Sequence, residues 1–307
     1  MGESPDWHAT AQSAVVRAHC RLPRHVHRHQ PRTTVIRFSV LRTIPVLAGL
    51  ILAPLSWTAQ SASDLVDGSA EEAGFRIATE ARERQMGFGN FTASLAMTLR
   101  NKQGREQQRE VRLKVIETEE DGDRTLFVFD RPHDVKGTAF LIHAHKNKPD
   151  QQWLYLPALK RVKGISSSKQ SGSFMGSEFS YEDMGTVEVE KYTHRYLRNE
   201  SCGDLECFVL ERIPTSRDSG YSRQLVWLDQ EELRTMQVHF FDRRDEHLKT
   251  MVVEDYKQYL QRFWRSRKIT MTNHLTGKST VLAWSDFQFH ADLDTRDFTK
   301  TALKRIR

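Results

Sequence analysis

Along residues 93–99 the apolar side chains Ala93, Leu95, Met97 and Leu99 fall on every second position, separated by polar or small residues. A period of two predicts a half-buried β-strand. Val111, Leu113 and Val115 repeat the pattern after a turn over Asn101 to Gly104, so the two segments predict an antiparallel hairpin with one apolar face. Further strands are expected over 125–129, 138–145, 152–156, 187–198, 205–212, 224–228, 236–241, 248–253, 259–264, 269–273 and 281–289. Before them, Glu71 to Met86 (EEAGFRIATEARERQM) is rich in helix formers. Phe75, Ile77, Ala78, Ala81 and Met86 can share one broad face there, and Gly87 to Asn90 stops the helix.

About a dozen strands, one N-terminal helix and no βαβ rhythm predict a mainly β chain, a single strongly curved antiparallel sheet or half-open β-barrel. Several strands are apolar on both faces, among them Leu126 to Phe129, Trp153 to Leu156 and Leu225 to Leu228. Such strands need cover on each side. A packed core with a helix or second layer outside would provide it, and so would a sheet wrapped round an apolar cavity. Periodicity alone does not separate the two.

Charge alters the picture of the first part of the chain. The formal charge is +6 with 46 basic and 40 acidic residues, a balance that suggests an anionic partner. Seven Arg and two acids lie in residues 1–62, so the remainder carries 39 bases and 38 acids and is nearly neutral. Arg37 and Arg42 precede an uncharged apolar run from Ile44 to Trp57 (IPVLAGLILAPLSW), and the small-residue stretch Thr58 to Ser63 follows it. This is the grammar of a secretory signal peptide. The run is shorter than the roughly 20 residues of a membrane span and is broken by Pro45 and Pro54. Cleavage after Ser61 puts Ala59 at the third position back, and cleavage after Ala62 puts Gln60 there. Residues 1–62 are therefore expected to be a leader and 63–307 one mature periplasmic domain. Residues 1–33 make that leader unusually long and lack apolar periodicity, which points to a misassigned start, with Val35 or Val40 as alternative initiation sites. His25, His27 and His29 fall inside that stretch and are not expected to hold a metal.

Without the leader the chain keeps Cys202 and Cys207. An even pair in an oxidising compartment favours a disulfide over zinc or free thiols. Zinc would require a second ligand pair, and none stands at suitable spacing. Enzyme signatures are missing too: Gly172 to Gly176 reads GSFMG, which lacks the spacing of a nucleophile elbow. His143 with His145, and Asp292, Asp294 and Asp297, form incomplete ligand sets. No Gly-rich phosphate loop or basic-aromatic platform supports nucleotide or nucleic-acid binding. No catalytic residue, cofactor or metal is expected.

The most distinctive stretch runs from Trp153 to Gly185, WLYLPALKRVKGISSSKQSGSFMGSEFSYEDMG. A strand ends at Pro157, the basic residues Lys160, Arg161 and Lys163 follow, and a Ser/Gly/Lys segment then delivers Phe174, Met175, Phe179, Tyr181 and Met184. Apolar groups on a polar loop suit a lid over an apolar site, or equally a surface loop docking its aromatics into the core. The residues YLPALKRVKGIS, the Ser/Gly spacer and SFMGSEFSYEDM resemble the outer-membrane lipoprotein-sorting proteins of the LolA-like superfamily. The resemblance extends over most of the mature chain. It implies a half-open barrel whose concave side is plugged by helices or loops, and a carrier of lipid or lipoprotein acyl chains. It also implies an inner-membrane transporter of the RND or MMPL type and an outer-membrane acceptor as partners. A non-transporting interaction or sensor module of the same fold is the alternative. On the family pattern Trp153, Tyr155 and Leu156 lie on the cavity-facing strand, Phe174, Met175, Phe179 and Tyr181 form the lid, and Arg161 holds it closed through its forked guanidinium. A monomer that binds no nucleic acid is expected.

Overall fold

The computed structural model describes residues 62–118 and 121–306. The expected signal sequence, its expected cleavage site and the histidines before it lie outside the described residues. Chain order begins with a four-residue helix, α1 (Ala62–Leu65). Helix α2 (Ala70–Glu83) starts at Ser69, whose Oγ accepts from the Glu72 amide at 3.2 Å while the Glu72 carboxylate accepts from the Ser69 amide at 2.9 Å. This reciprocal box satisfies donors that the first turn leaves unpaired. Ala73, Gly74 and Ile77 are buried, with Ala78 and Ala81 beside them. Phe75 is 53% exposed, so it does not belong to the apolar face expected from the sequence. The packed face follows the spacing 73, 74, 77, 78 and 81, and residue 75 points away from it.

Six strands follow as a meander: β1 (Asn90–Arg100), β2 (Glu106–Ile116), β3 (Arg124–Arg131), β4 (Ala139–His143), β5 (Gln151–Leu156) and β6 (Arg161–Ile165). After an irregular segment come β7 (Tyr192–Cys202), β8 (Leu205–Pro214), β9 (Tyr221–Asp229), β10 (Thr235–Asp242), β11 (His247–Tyr259), β12 (Phe263–Asn273) and β13 (Ser279–Phe289). All belong to one 13-stranded antiparallel sheet in the order β6-β5-β4-β3-β2-β1-β13-β12-β11-β10-β9-β8-β7. The meanders join where β13 returns to β1, with Leu95 opposite Trp284 and Met97 opposite Leu282. The sheet is not closed, so β6 and β7 are its edges. Residues 166–191 connect those two edges.

Two strands depart from the sequence expectation for identifiable reasons. The apolar pattern over 259–264 reads as one strand, but Leu260 and Gln261 have φ of 51° and 55°. They are the central pair of the turn over residues 260–262 between β11 and β12, closed by the Arg262 amide to the Tyr259 carbonyl at 3.0 Å. Such turns ordinarily use Asn-Gly, and Leu-Gln gives no warning. The basic run after Pro157 is strand β6, which pairs Lys163 with Leu154 and Val162 with Tyr155. Exposed charge on an edge strand discourages pairing with other chains.

The two-sided apolar strands are covered on both sides. Phe127 and Phe129 join the inner core with Phe140, Leu154 and α2 Ile77. Leu126 and Val128 join an outer cluster with Leu141 and Tyr155, roofed by Phe298 and Leu303. Leu303 ends helix α3 (Lys300–Leu303), capped by Thr299, an element the sequence pattern did not announce. A second outer cluster holds Cys207, Val209 and Trp227. Beside it the Cys202–Cys207 disulfide clasps the β7–β8 hairpin. Helix α2 lies directly on β7, because a side chain at Gly74 would come within 2.6 Å of the Arg195 amide nitrogen. Among the described residues no helix is long and apolar enough to cross a membrane.

Candidate functional site

Two bodies fill the inner side of the sheet. Over β1 to β5 lies the segment connecting the edges. It folds into a small hairpin, with an isolated bridge between Ser173 and Ser180 and the Phe174 amide bonded to the Phe179 carbonyl at 2.7 Å. Met175 (φ 52°) and Gly176 (φ 79°) turn the chain in left-handed conformations, which the Gly tolerates without strain. Phe174 is fully buried, with ring centroids 5.1 Å from Phe140, 5.5 Å from Tyr181, 6.0 Å from Phe127 and 6.1 Å from Phe129. Phe179 is buried and Met175 and Tyr181 are half-buried against the same core.

Polar ties fasten this hairpin to the sheet. Arg109 Nη1 donates to the Met175 carbonyl at 2.5 Å. The Glu178 amide donates to Thr280 Oγ1 at 3.0 Å, and Gln152 Nε2 donates to the Tyr181 carbonyl at 3.0 Å. Lys249 Nζ reaches the Glu178 carbonyl at 3.1 Å and Asp183 Oδ2 at 2.6 Å. Tyr221 adds its hydroxyl to Asp183 Oδ1 at 2.8 Å. The Lys249–Asp183 pair is almost fully buried, at 4% and 6% side-chain exposure, where paired charges satisfy each other.

Over β8 to β12 the cover is α2, and here the packing is incomplete. A cavity of about 350 Å³ separates Ala78 and Ala81 of α2 from Leu210, Val226, Leu228, Val238, Met251, Val253 and Ile269 of the sheet. Interiors normally close to crystal-like density, and this apolar space falls within the ~300–1,000 Å³ range of small-molecule sites. At its rim Arg82 makes a two-pronged ion pair with Glu188 at 3.2 Å and reaches Asp123 at 3.5 Å. Burial pushes the Asp123 carboxyl up to about 6, helped by Glu188 and opposed by Arg82 and Thr186. Arg212 and Arg265 also line the cavity. Burial lowers both guanidinium pKa values, that of Arg265 to about 10 against the opposing pull of Glu117 and Asp123. His194, nine-tenths buried on the same wall, shares Nε2 with the Val189 carbonyl at 3.0 Å. Burial lowers its pKa, and the Arg212 charge works in the same direction.

The residues singled out from the sequence divide between the two faces. Leu156 packs against the inner core with Phe174, Met175, Phe179 and Tyr181. Trp153 and Tyr155 point to the outer side, beneath the C-terminal segment, because alternation puts them opposite Leu154 and Leu156. Arg161 is exposed on the edge strand β6. From the sheet, Arg109, Lys249 and Gln152 donate to the hairpin backbone and the Thr280 hydroxyl accepts from it. His143 bonds the Phe298 carbonyl and His145 bonds Asp121, while Asp294 caps a 3-10 turn. The α2 side of the cavity was not foreseen. The signal that could have found it is the pair Ala78 and Ala81, small residues where a packed helix face would carry Leu or Ile.

A family model described as "Uncharacterized protein" matches residues 121–305. Among solved structures, an outer membrane lipoprotein-sorting protein domain from Vibrio parahaemolyticus is 50% identical, covers 76% of this chain and 100% of its own, and superposes with a TM-score of 0.75. The chain belongs to the outer membrane lipoprotein-sorting family. A DUF1329 family protein from Desulfovibrio piger ATCC 29098 is 26% identical over 77% of this chain and 100% of its own, with a TM-score of 0.73. A LolA superfamily protein from Nitrosomonas europaea shares the fold at 22% identity and a TM-score of 0.61, over 76% and 99% of the two chains. The single unclosed antiparallel sheet with few helices matches the LolA-like fold. A comparison with curated proteins finds no match.

Proposed function

We propose that this protein is a periplasmic carrier that takes lipid, or the acyl chains of lipoproteins, into the cavity between α2 and the sheet and passes it toward the outer membrane. The observation that carries this reading is the cavity itself: an apolar space of about 350 Å³ walled by Leu, Val, Ile and Met, at the low end of the ~300–1,000 Å³ typical of small-molecule sites. Such a volume suits a single chain. The 50% identical relative described as a lipoprotein-sorting domain supports the same direction. The apolar run Ile44 to Trp57 supports export and cleavage near Ser61 or Ala62, leaving 63–307 as the mature domain, and a disulfide suits an oxidising compartment. A carrier of this kind works by binding and release, loaded at an inner-membrane transporter of the RND or MMPL type and emptied at an outer-membrane acceptor. The hairpin with Phe174, Met175, Phe179 and Tyr181 acts as a gate, its aromatics giving way to cargo that extends under β1 to β5.

Organic extraction and mass spectrometry of the protein isolated from periplasm, with uptake of a fluorescent fatty acid by the delipidated form, test the reading. Bound lipid and saturable uptake are expected. Repeated recovery of empty protein that takes up no fatty acid would overturn it and favour an interaction module of the same fold.

A further inference from the structure

The cavity wall is apolar, but its charge is one-sided. Arg82, Arg212 and Arg265 line it, and among the described residues no Asp or Glu does. Arg82 is answered by Glu188 and Asp123 behind the wall. The other two arginines are not answered in this way. Arg212 uses Nε on Gln224 and stacks at 5.0 Å over the Tyr192 ring. Arg265 uses Nη1 on Gln85 at 3.2 Å and on the Trp264 carbonyl, and lies 5.0 Å over the Phe88 ring. Neither has a carboxylate in direct contact among the described residues. The acids nearest Arg265 in effect, Glu117 and Asp123, are committed elsewhere: Glu117 to the Gly87 and Gly89 amides at 2.8 and 2.6 Å, and Asp123 to Arg82 and Thr186.

Burying a cation without a counter-charge is costly, and rings and amides offset only part of that cost. Both arginines keep guanidinium nitrogens with no hydrogen-bond partner among the described residues, and both border open space. One further donor on the same wall, the Trp264 indole N–H, is buried without a hydrogen-bond partner among the described residues. A wall of hydrocarbon with unspent donors and net positive charge is complementary to an amphiphile whose polar end is negative.

Resting on the carrier reading above, we infer that the cavity selects a single-chain amphiphile with an anionic headgroup, a carboxylate or a phosphate monoester, whose charge is met by Arg212 and Arg265. Guanidinium forks bind both headgroups through paired N–H donors, while the chain occupies the Val, Leu and Ile wall. A neutral chain of equal length would leave the arginines as uncompensated as they are in the empty protein.

The test is binding of four probes to the delipidated mature protein by titration calorimetry or displacement of a fluorescent fatty acid: a long-chain fatty acid, the alcohol of the same chain length, the corresponding monoalkyl phosphate, and inorganic phosphate alone. The acid and the alkyl phosphate should bind about 10- to 100-fold more tightly than the alcohol, the range expected for hydrogen bonds to a charged group. Inorganic phosphate should not compete. In R212Q/R265Q the anionic probes should fall to the affinity of the alcohol, which itself stays near its wild-type value, and the single variants apportion the effect. Thermal unfolding of each variant checks that it is folded, and the comparison of acid with alcohol in the wild type does not depend on any variant. Equal wild-type affinity for acid and alcohol would overturn the headgroup inference and leave the carrier reading intact. Phosphate competing as well as alkyl phosphate would overturn it in favour of a free-anion site, and failure of every chain to bind would overturn both.

Discussion

Lys249→Met should separate a fastened hairpin from a loosely resting one. The ammonium donates to Asp183 at 2.6 Å and to the Glu178 carbonyl at 3.1 Å, with under a tenth of either charged side chain exposed. Removing one partner of a buried pair leaves the other charge uncompensated, at a cost of about 3–5 kcal/mol. Asp183 would keep the Tyr221 hydroxyl at 2.8 Å and the Ser180 amide at 2.6 Å, which places the loss near the lower end, about 3 kcal/mol. Met retains most of the aliphatic stem and removes the charge that lies 5.1 Å from the Tyr221 and Phe240 ring centroids, so packing changes little and the loss reports on charge. Urea unfolding at neutral pH gives the value, and Asp183→Asn with the double variant completes a cycle in which the two losses should overlap by more than about 1 kcal/mol. Hydrogen exchange should quicken in the 172–184 amides before the rest of the sheet. A loss below about 1 kcal/mol, with additive single variants, would refute the claim that this pair fastens the hairpin.

Phe174→Ala should cost about 3–5 kcal/mol as a buried aromatic truncation and speed fatty-acid uptake; a full stability loss with unchanged uptake would make the hairpin plain core without a gating role. Asp123 has its pKa raised to about 6 from an ordinary value near 3.9, so the folded protein holds a proton there that the unfolded chain has released between about pH 4 and 6. Stability through this group is present below about pH 4 and lost as pH rises through 6, by up to about 1.4 kcal/mol per unit. Asp123→Asn should therefore gain on the wild type across that window in urea titrations, and parallel pH curves for the two proteins would contradict this. Reducing Cys202–Cys207, which spans five residues of sequence, should lower stability by about 2 kcal/mol without changing fatty-acid affinity, because the bridge sits with the outer cluster of Val209 and Trp227; a large drop in affinity would place it in the binding pathway instead.

Most strands were legible because a two-residue period survives wherever one face is wet, as on Ala93 to Leu99, and because turn residues such as Asn101 to Gly104 punctuate it. The pattern failed where turn chemistry was unusual, at Leu260-Gln261, and where charge masked an edge strand, at Arg161–Ile165. Strands apolar on both faces announced a second cover but not its identity, since nothing in Leu126 or Val128 points to Phe298 and Leu303 at the far end of the chain. Phe174, Met175, Phe179, Tyr181 and Met184 on a Ser/Gly-rich stretch marked an apolar-bearing loop, lid or docked, but not its hairpin form. Its fastenings were not legible, because Arg109, Lys249 and Asp183 are ordinary charged residues until the sheet brings them together. The cavity was least visible, being a property of what α2 lacks.

The central claim is that this space under α2 is where the chain of the cargo lies, and Ala81, which lines it from the helix, allows it to be filled from within. Native mass spectrometry of wild type and Ala81→Phe, isolated identically from periplasm and matched for unfolding midpoint, measures cargo directly. Bound lipid on the wild type and an empty variant are the predicted result; equal lipid occupancy in the two, or an empty wild type, would contradict the account.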